Sequence, residues 1–397
     1  MKKLLFLTAL ATTALAGCTS DEQNEAAKQS QPSKIVFNAP IVNGNTRAIP
    51  GEQPVNGKYS TQEEFCVFAN QSNDAFTAWD NNNNYLYNVR VKYSGSIDDG
   101  TTNKKGWIPA DGNPIYWPKK GKLTFAAYSP ADAAGTIKYG NGGLTITDFT
   151  TNDNVAEQYD LMYSERSYDR TASTNQSTEV TDPKPGHTGQ SYDGVDILFR
   201  HALASINFKV KAAAEYNGTT ITVNQISILN VWNKGTFQEN ITEGAVYNSN
   251  PAWEINKTDN PHGTPVNYNE KTYKVISGTT GTVLETDAKT PTDAKPALLI
   301  PQNMQDNKDA ATKKDIIVQV EYTIKVGNGN PVKQVSEVSL VTGNSNGYFK
   351  NGADDIEKWE MGKRYTYTIV IGLNNIIYFS PEVTNWDDIT VSPDLTI

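Results

Sequence analysis

The sequence has few of the residues on which metal sites and disulfide frameworks depend. It contains two cysteines and three histidines among 397 residues. Cys18 lies close to the N-terminus, so Cys66 is the only thiol in the body of the chain and no disulfide framework can form. The histidines, His187, His201 and His262, are far apart, and no two have the spacing of a zinc site. We therefore predict no metal and no cofactor.

Motifs for catalysis and for nucleic-acid binding are also missing. The sequence has no G-x-S-x-G elbow for a nucleophile and no glycine-rich phosphate loop after a strand. With 35 Lys and Arg against 44 Asp and Glu, the formal net charge is −9, and no basic stripe is present for nucleic acid. We predict that the protein is not an enzyme. The many carboxylates leave a glycosidase pair open as an alternative, because sequence does not give their separation.

The N-terminus is apolar over too short a run to span a membrane. Lys2 and Lys3 precede a mostly apolar stretch, Leu4 to Leu15, which is shorter than the ~20 residues of a spanning helix. This order is typical of a secretory signal, so residues 1–17 are predicted to be a signal peptide. The stretch "LAGC" resembles a bacterial lipobox, which implies cleavage between Gly17 and Cys18 and acylation of Cys18, for example by palmitate.

The residues after Cys18 are polar, and the acidic "SDE" at 20–22 resembles an export signal of surface lipoproteins. We expect an outer-membrane lipoprotein exposed at the cell surface, with residues 18–33 as a flexible tether. Removal of residues 1–17 would leave 380 residues, which is enough for two domains. The predicted domains are 34–194 and 195–397, because a new series of strands begins at residue 195.

The rest of the chain alternates short apolar runs with turn-rich polar stretches. Runs such as "EFCVFAN" (64–70), "KLTFAAYS" (122–129) and "RYTYTIVIG" (364–372) have the period of two that predicts β-strands. No long stretch has a helical repeat, so an all-β fold of sandwiches is predicted. In "EFCVFAN", Cys66 is predicted to be a buried, inert thiol. The alternation shifts phase between Leu203 and Ile206, which indicates a bulge.

Several stretches taken together resemble the fimbrillin family of Bacteroides-type fimbrial lipoproteins, the subunits of type V pili. They occur in the family's order: "PIYWPKKGKLTFAAYSP" (114–130), "EQYDLMYS" (157–164), "VDILFRHALASINFKVK" (195–211), "ALLIPQ" (297–302), "WEMGKRYTYTIVI" (359–371) and "EVTNW" (382–386). The resemblance implies two transthyretin-like β-sandwich domains in tandem. It also implies a non-enzymatic subunit, or accessory pilin, of a surface fimbria that supports adhesion.

The resemblance further implies that a trypsin-like protease cuts after an arginine near the start of the mature chain. Arg47-Ala48, in "NGNTRAIPG", matches that expectation and lies among turn-forming residues that proteases prefer. A cut there would release the apolar stretch "KIVFNAPIV" (34–42), and a strand of another subunit could take its place. The C-terminal "DDITVSPDLTI" (387–397) is the candidate donor strand. Its alternating apolar residues are Ile389, Val391, Leu395 and Ile397, although Pro393 removes one backbone donor.

Three functions remain open at this point. The leading one is a fimbrial subunit, whose partners are other subunits in a homo- or hetero-polymer, the outer membrane through its lipid anchor, and a host or bacterial surface ligand. The second is a surface lipoprotein that binds a glycan or host ligand without polymerising. The third is a carbohydrate-active enzyme. Trp79, Trp107 and Trp117 could stack on sugars if exposed, but we predict that they fill the core.

Overall fold

The computed structural model describes residues 33–38, 41–42, 62–98, 103–172, 194–244, 247–255, 270–291, 294–304, 316–340, 350–351, 354–373 and 376–386. The strands of the first half are β1 (Ile41–Val42), β2 (Phe65–Ser72), β3 (Asn84–Asp98), β4 (Asn103–Pro109), β5 (Lys122–Ser129), β6 (Thr136–Gly140), β7 (Gly143–Thr150), β8 (Met162–Ser164), β9 (Ser167–Arg170), β10 (Leu198–His201) and β11 (Ala204–Ala212). The strands of the second half are β12 (Thr219–Trp232), β13 (Lys234–Gln238), β14 (Ala252–Ile255), β15 (Glu270–Val283), β16 (Ala297–Leu299), β17 (Ile317–Val326), β18 (Val332–Ser339), β19 (Lys350–Asn351), β20 (Asp354–Asp355), β21 (Lys363–Ile371) and β22 (Ile376–Asn385).

The only helices among these residues are two 3₁₀ turns, Asn81–Asn83 and Val155–Glu157. The predicted all-β class is therefore confirmed. Within the same ranges, no helix is long and apolar enough to cross a membrane.

The N-terminal part is built on one eight-stranded sheet that is buried on both faces. Its strand order is β1-β10-β8-β5-β2-β3-β4, and β9 pairs with β5 off this path. Along the central strand β2, Phe65 and Val67 enter one apolar cluster, whereas Cys66 and Phe68 enter another on the opposite face. Period-two alternation causes this division. The second cluster is covered by a four-stranded sheet of order β14-β13-β7-β6.

The C-terminal part is a sandwich of two four-stranded sheets. One has the order β16-β11-β21-β22 and the other β15-β12-β17-β18. Their inward side chains, among them Phe208, Ile226, Val320 and Tyr367, form a single buried cluster. Burial of this apolar surface is the main source of stability, since Cys66, the one cysteine among the described residues, forms no disulfide. A two-stranded pairing of β19 with β20 lies outside both sheets.

The phase shift at Leu203–Ile206 is not a bulge within one strand, so that prediction was wrong. Strand β10 ends at His201 in the N-terminal sheet, and β11 begins at Ala204 in the C-terminal sandwich. The chain changes sheet at Ala202 and Leu203, both fully buried, and the alternation restarts because β11 faces a different core. The domain boundary near residue 195 stays a prediction. Strands from both sides of it share sheets, since β7 pairs with β13 and β8 pairs with β10.

Candidate functional site

An extended segment near the N-terminus, residues 33–38, closes the gap between two edges of the N-terminal sheet. On one side its backbone bonds to the region of β4: Phe37 N–H donates to Trp107 O and Trp107 N–H donates to Phe37 O, both at 2.9 Å. Ile35 N–H donates to Ile115 O at 2.7 Å, and Trp117 N–H donates to Ser33 O at 3.0 Å. The segment is therefore antiparallel to residues 107–117, as its bridges to Trp107 and Tyr116 also show.

On its other side the segment bonds to the chain that leads into β10. Asn38 N–H donates to Val195 O at 2.9 Å, and Val195 N–H donates to Val36 O at 2.8 Å. Strand β1 continues the same path and pairs in parallel with Leu198 and Phe199 of β10. The segment is thus hydrogen-bonded as an inner strand, with neighbours on both sides.

The apolar side chains of this segment fill the core beneath it. Ile35 is 1% exposed and Phe37 is fully buried. The Phe37 ring meets Phe125 edge-on with centroids 5.7 Å apart, and it meets Phe65 in the same way at 6.1 Å. Such edge-to-face contacts add to the free energy of burial. The segment therefore completes the core, as well as the backbone pairing, of the sheet.

Glycine at position 194 permits this close approach. A Cβ atom there would lie 2.5 Å from Val36 O and 2.8 Å from Asn38 N, inside the contact distance of real Cβ atoms. Beside it, Asn38 Nδ2 donates to Asp196 Oδ1 at 3.0 Å. The chain around Gly194 is therefore shaped to hold an extended backbone at this position.

Loss of the segment would leave an open slot bounded by two strand edges. The exposed groups would include the N–H and C=O of both Trp107 and Val195, and the C=O of Ile115. The apolar trough vacated by Ile35 and Phe37 would face water. Exposing one fully buried apolar side chain costs about 1.5–3 kcal/mol of free energy. An extended strand with apolar residues on one face could satisfy both the backbone groups and the trough.

The residues predicted from sequence to carry function lie outside the described residues. These are the lipidation and signal-cleavage residues Gly17 and Cys18, the processing residues Arg47 and Ala48, and the donor residues Ile389, Val391, Leu395 and Ile397. The described chain ends at Trp386, immediately before the candidate donor, and β1 ends five residues before Arg47. What the structure adds is the slot between the two edges.

The side chains considered for chemistry or sugar binding are buried. Trp79, Trp107 and Trp117 are 4%, 1% and 8% exposed, which agrees with their predicted place in the core. Cys66 is also buried, and desolvation raises the pKa of its thiol. Among the described residues, no three His, Cys, Asp or Glu side chains are close enough to hold a metal ion. His187 and His262 lie outside those residues.

Sequence reasoning missed a buried ionic cluster between the N-terminal sheet and the sheet that covers it. The Arg166 side chain is fully buried and forms an ion pair with Glu243, with Nη1 to Oε2 at 3.0 Å. Its Nε donates to the Tyr139 hydroxyl at 2.9 Å. The guanidinium also lies over the rings of Phe76 and Trp79 at 5.2 and 5.3 Å. The cluster ties a loop after β8 to the β6–β7 hairpin.

Glu239 is the second carboxylate of this cluster and is fully buried. Its Oε2 accepts a hydrogen bond from Leu144 N–H at 2.7 Å, and its Oε1 accepts one from the Tyr247 hydroxyl at 2.9 Å. Desolvation raises the pKa of Glu239 to about 7, partly offset by these hydrogen bonds and by Arg166. No sequence signal marks this residue, because its burial depends on contacts with distant parts of the chain.

The fimbrillin-like family model matches residues 46–386. The chain belongs to the fimbrillin-like family. The match begins one residue before Arg47 and ends at Trp386, so both "KIVFNAPIV" (34–42) and the candidate donor strand lie outside it.

The fimbrillin-like chain is also similar to solved structures. One is a fimbrial protein from Bacteroides vulgatus ATCC 8482, with 19% identity, 89% of this chain and 99% of that chain covered, and a TM-score of 0.47. Another is a fimbrilin from Porphyromonas gingivalis W83, with 12% identity, 89% and 98% covered, and a TM-score of 0.39. A search of curated proteins returned no match.

Proposed function

We propose that the protein is a structural subunit or accessory pilin of a cell-surface fimbria and that it assembles by donor-strand exchange. The observation that carries the proposal is the placement of residues 33–38, hydrogen-bonded on both sides and inserted into the core. Membership of the fimbrillin-like family supports the fimbrial role. In this proposal the segment is a temporary strand that keeps the slot filled until the subunit is processed.

Processing at Arg47-Ala48 would convert the filled slot into an acceptor. A cut after Arg47 separates residues 33–42 from the body of the subunit, leaving them bound only by non-covalent contacts. The candidate donor 387–397 of another subunit then competes for the slot. It offers Ile389 and Val391 to the trough vacated by Ile35 and Phe37, and its backbone can pair with both edges. The role is structural and requires no catalytic residue.

The test is to treat the folded full-length protein with an Arg-specific protease. We expect a new N-terminus at Ala48, followed by slow oligomerisation detected by light scattering and electron microscopy. Arg47→Ala should abolish both the cut and the oligomers, whereas Arg90→Ala, at an arginine in strand β3, should leave both unchanged. Oligomers that form equally well in the Arg47→Ala protein would contradict the proposal.

Lipidation at Cys18 is a separate part of the proposal, and it rests on the "LAGC" stretch after a charged and apolar start. Two acyl signals are needed for stable anchoring, because each buried CH₂ contributes only about 0.8 kcal/mol. We expect Cys18→Ser to abolish metabolic labelling by palmitate and to release the protein from the outer-membrane fraction. Cys66→Ser is the matched control. It should keep the palmitate labelling and the outer-membrane location, because Cys66 is buried in the folded protein. Labelling that persists in Cys18→Ser would reject this assignment.

A further inference from the structure

Trp386, the residue immediately before the candidate donor strand, is buried at the junction between the N-terminal sheet and the C-terminal sandwich. It is fully buried, although the strand that precedes it, β22, is an edge strand. Its indole belongs to the same apolar cluster as Tyr163 of β8, Phe237 of β13 and Leu298 of β16. The cluster that buries Trp386 therefore contains residues of three different sheets.

The Trp386 ring is held in a defined plane. It stacks face to face on the His201 imidazole, with centroids 4.1 Å apart and an interplanar angle of 3°. His201 Nδ1 lies 2.7 Å from Asp160 Oδ2, and both side chains are fully buried. A carboxylate bonded to one imidazole nitrogen fixes the orientation of the ring. Asp160 therefore positions His201, and His201 positions Trp386.

The backbone at Trp386 is fixed by a second set of contacts. Strand β22 pairs with β21 up to Asn385, which is opposite Lys363. Trp386 N–H then donates to Gly362 O at 2.8 Å, and Gly362 N–H donates to Leu203 O at 2.9 Å. Trp386 is thus linked through a single residue, Gly362, to Leu203, where the chain passes between its two parts.

We propose that the Trp386–His201–Asp160 stack is the anchor of the donor strand, a positioning device that sets where residues 387–397 leave the subunit. This inference rests on the proposed function. The eleven residues beyond Trp386 span at most about 40 Å when extended, so the position of their first residue decides what they reach. If Trp386 came loose, the end of β22 could separate from β21, and the donor would start from a variable point. A donor with a fixed start loses less conformational freedom when it enters the slot of another subunit.

The anchor acts in the subunit that donates its strand. A substitution in the anchor should therefore slow assembly when it is in the donor but not when it is in the acceptor, whereas loss of a purely structural residue should affect both alike. The full-length Arg47→Ala protein serves as donor, because its own slot stays filled. The full-length protein cut after Arg47 and carrying Ile389→Asp and Val391→Asp serves as acceptor, because its own tail is disabled. Mixing the two gives one kind of dimer, whose rate of formation is measured by native gel or mass photometry.

We expect Trp386→Leu in the donor to slow dimer formation about tenfold, and the same substitution in the acceptor to change it less than twofold. Trp386→Phe keeps an aromatic face and is less prone to unfold the protein than Trp386→Leu. In the donor it should slow dimer formation about threefold. The matched control is Trp359→Phe, at another buried tryptophan whose Nε1 donates to Tyr367 within the C-terminal core. Trp359→Phe should change the rate of dimer formation equally whether it is in the donor or in the acceptor.

Equal loss in donor and acceptor, or no loss in either, overturns the anchor while leaving strand exchange intact. A synthetic peptide of residues 387–397 provides the distinguishing arm. It should bind the cut acceptor whether or not that acceptor carries Trp386→Phe. A cut wild-type acceptor that binds neither the peptide nor the donor protein overturns the proposed function, and the anchor with it.

Discussion

Phe37→Ala is expected to destabilise the uncut protein by about 3–5 kcal/mol, the range found for removal of a buried phenylalanine ring. The ring is fully buried and contacts Phe65 and Phe125 edge-on, so its removal leaves a cavity at the centre of the N-terminal core. The measurement is the free energy of unfolding in urea. Lys34→Ala is the control on the same segment and should change stability little, since Lys34 is exposed.

The proposed function gives this substitution a second consequence. If residues 33–42 are released on processing, Phe37→Ala should have no effect on the stability of the assembled fibre, which no longer contains that residue. It should also speed the exchange of strands after cutting, because the outgoing strand is held less tightly. A fibre destabilised as much as the uncut protein would contradict release of the segment.

Glu239→Gln is expected to stabilise the protein at pH 8 by as much as about 3 kcal/mol. Burial raises the pKa of Glu239 from its ordinary 4.5 to about 7, and that difference corresponds to about 3 kcal/mol between the two protonation states. At pH values between about 4.5 and 7, Glu239 holds a proton in the folded state that it has lost in the unfolded state. Stability therefore decreases as the pH rises from about 4.5 to 7, and glutamine removes this loss because it cannot ionise.

The measurement is the free energy of unfolding of wild type and Glu239→Gln at pH 5 and pH 8. The gain should be large at pH 8 and small near pH 5, with the difference following the titration. Glu243→Gln is the control and should destabilise instead, because it removes the ion pair of the buried Arg166 guanidinium. A Glu239→Gln protein whose advantage does not change with pH would show that the carboxylate is not desolvated as its burial indicates.

The strands that could be read from the sequence are those with strong alternation. Strand β5 has the predicted limits, 122–129, because Leu123, Phe125 and Ala127 point into one core and the turn residues at both ends are clear. Strands β13 and β14, with the sequences "KGTFQ" and "AWEI", were missed. They are short and only partly apolar. Strand β14 is held by pairing with β13, and β13 in turn pairs with β7, which is distant in the sequence.

The candidate site was predictable only in part. The stretch "KIVFNAPIV" was predicted from its apolar residues to be a strand, and Arg47-Ala48 behind it stays a predicted cut site. Its position between Trp107 and Val195 was not recognisable, because folding alone places these two residues, which are far apart in the sequence, on either side of Phe37. Likewise, "EVTNW" was a family motif in the sequence. The stack of Trp386 on His201 appeared only in the folded protein.

The sequence by itself determined the all-β class and the limits of the strongest strands. These depend on local periodicity and composition, which neighbouring residues express without reference to the fold. The tertiary structure alone decided which edges residues 33–38 join, that Glu239 is buried beside Arg166, and where Trp386 is fixed. Each of these depends on residues far apart in the chain, and backbone pairing and desolvation energies arise only once folding has brought them into contact.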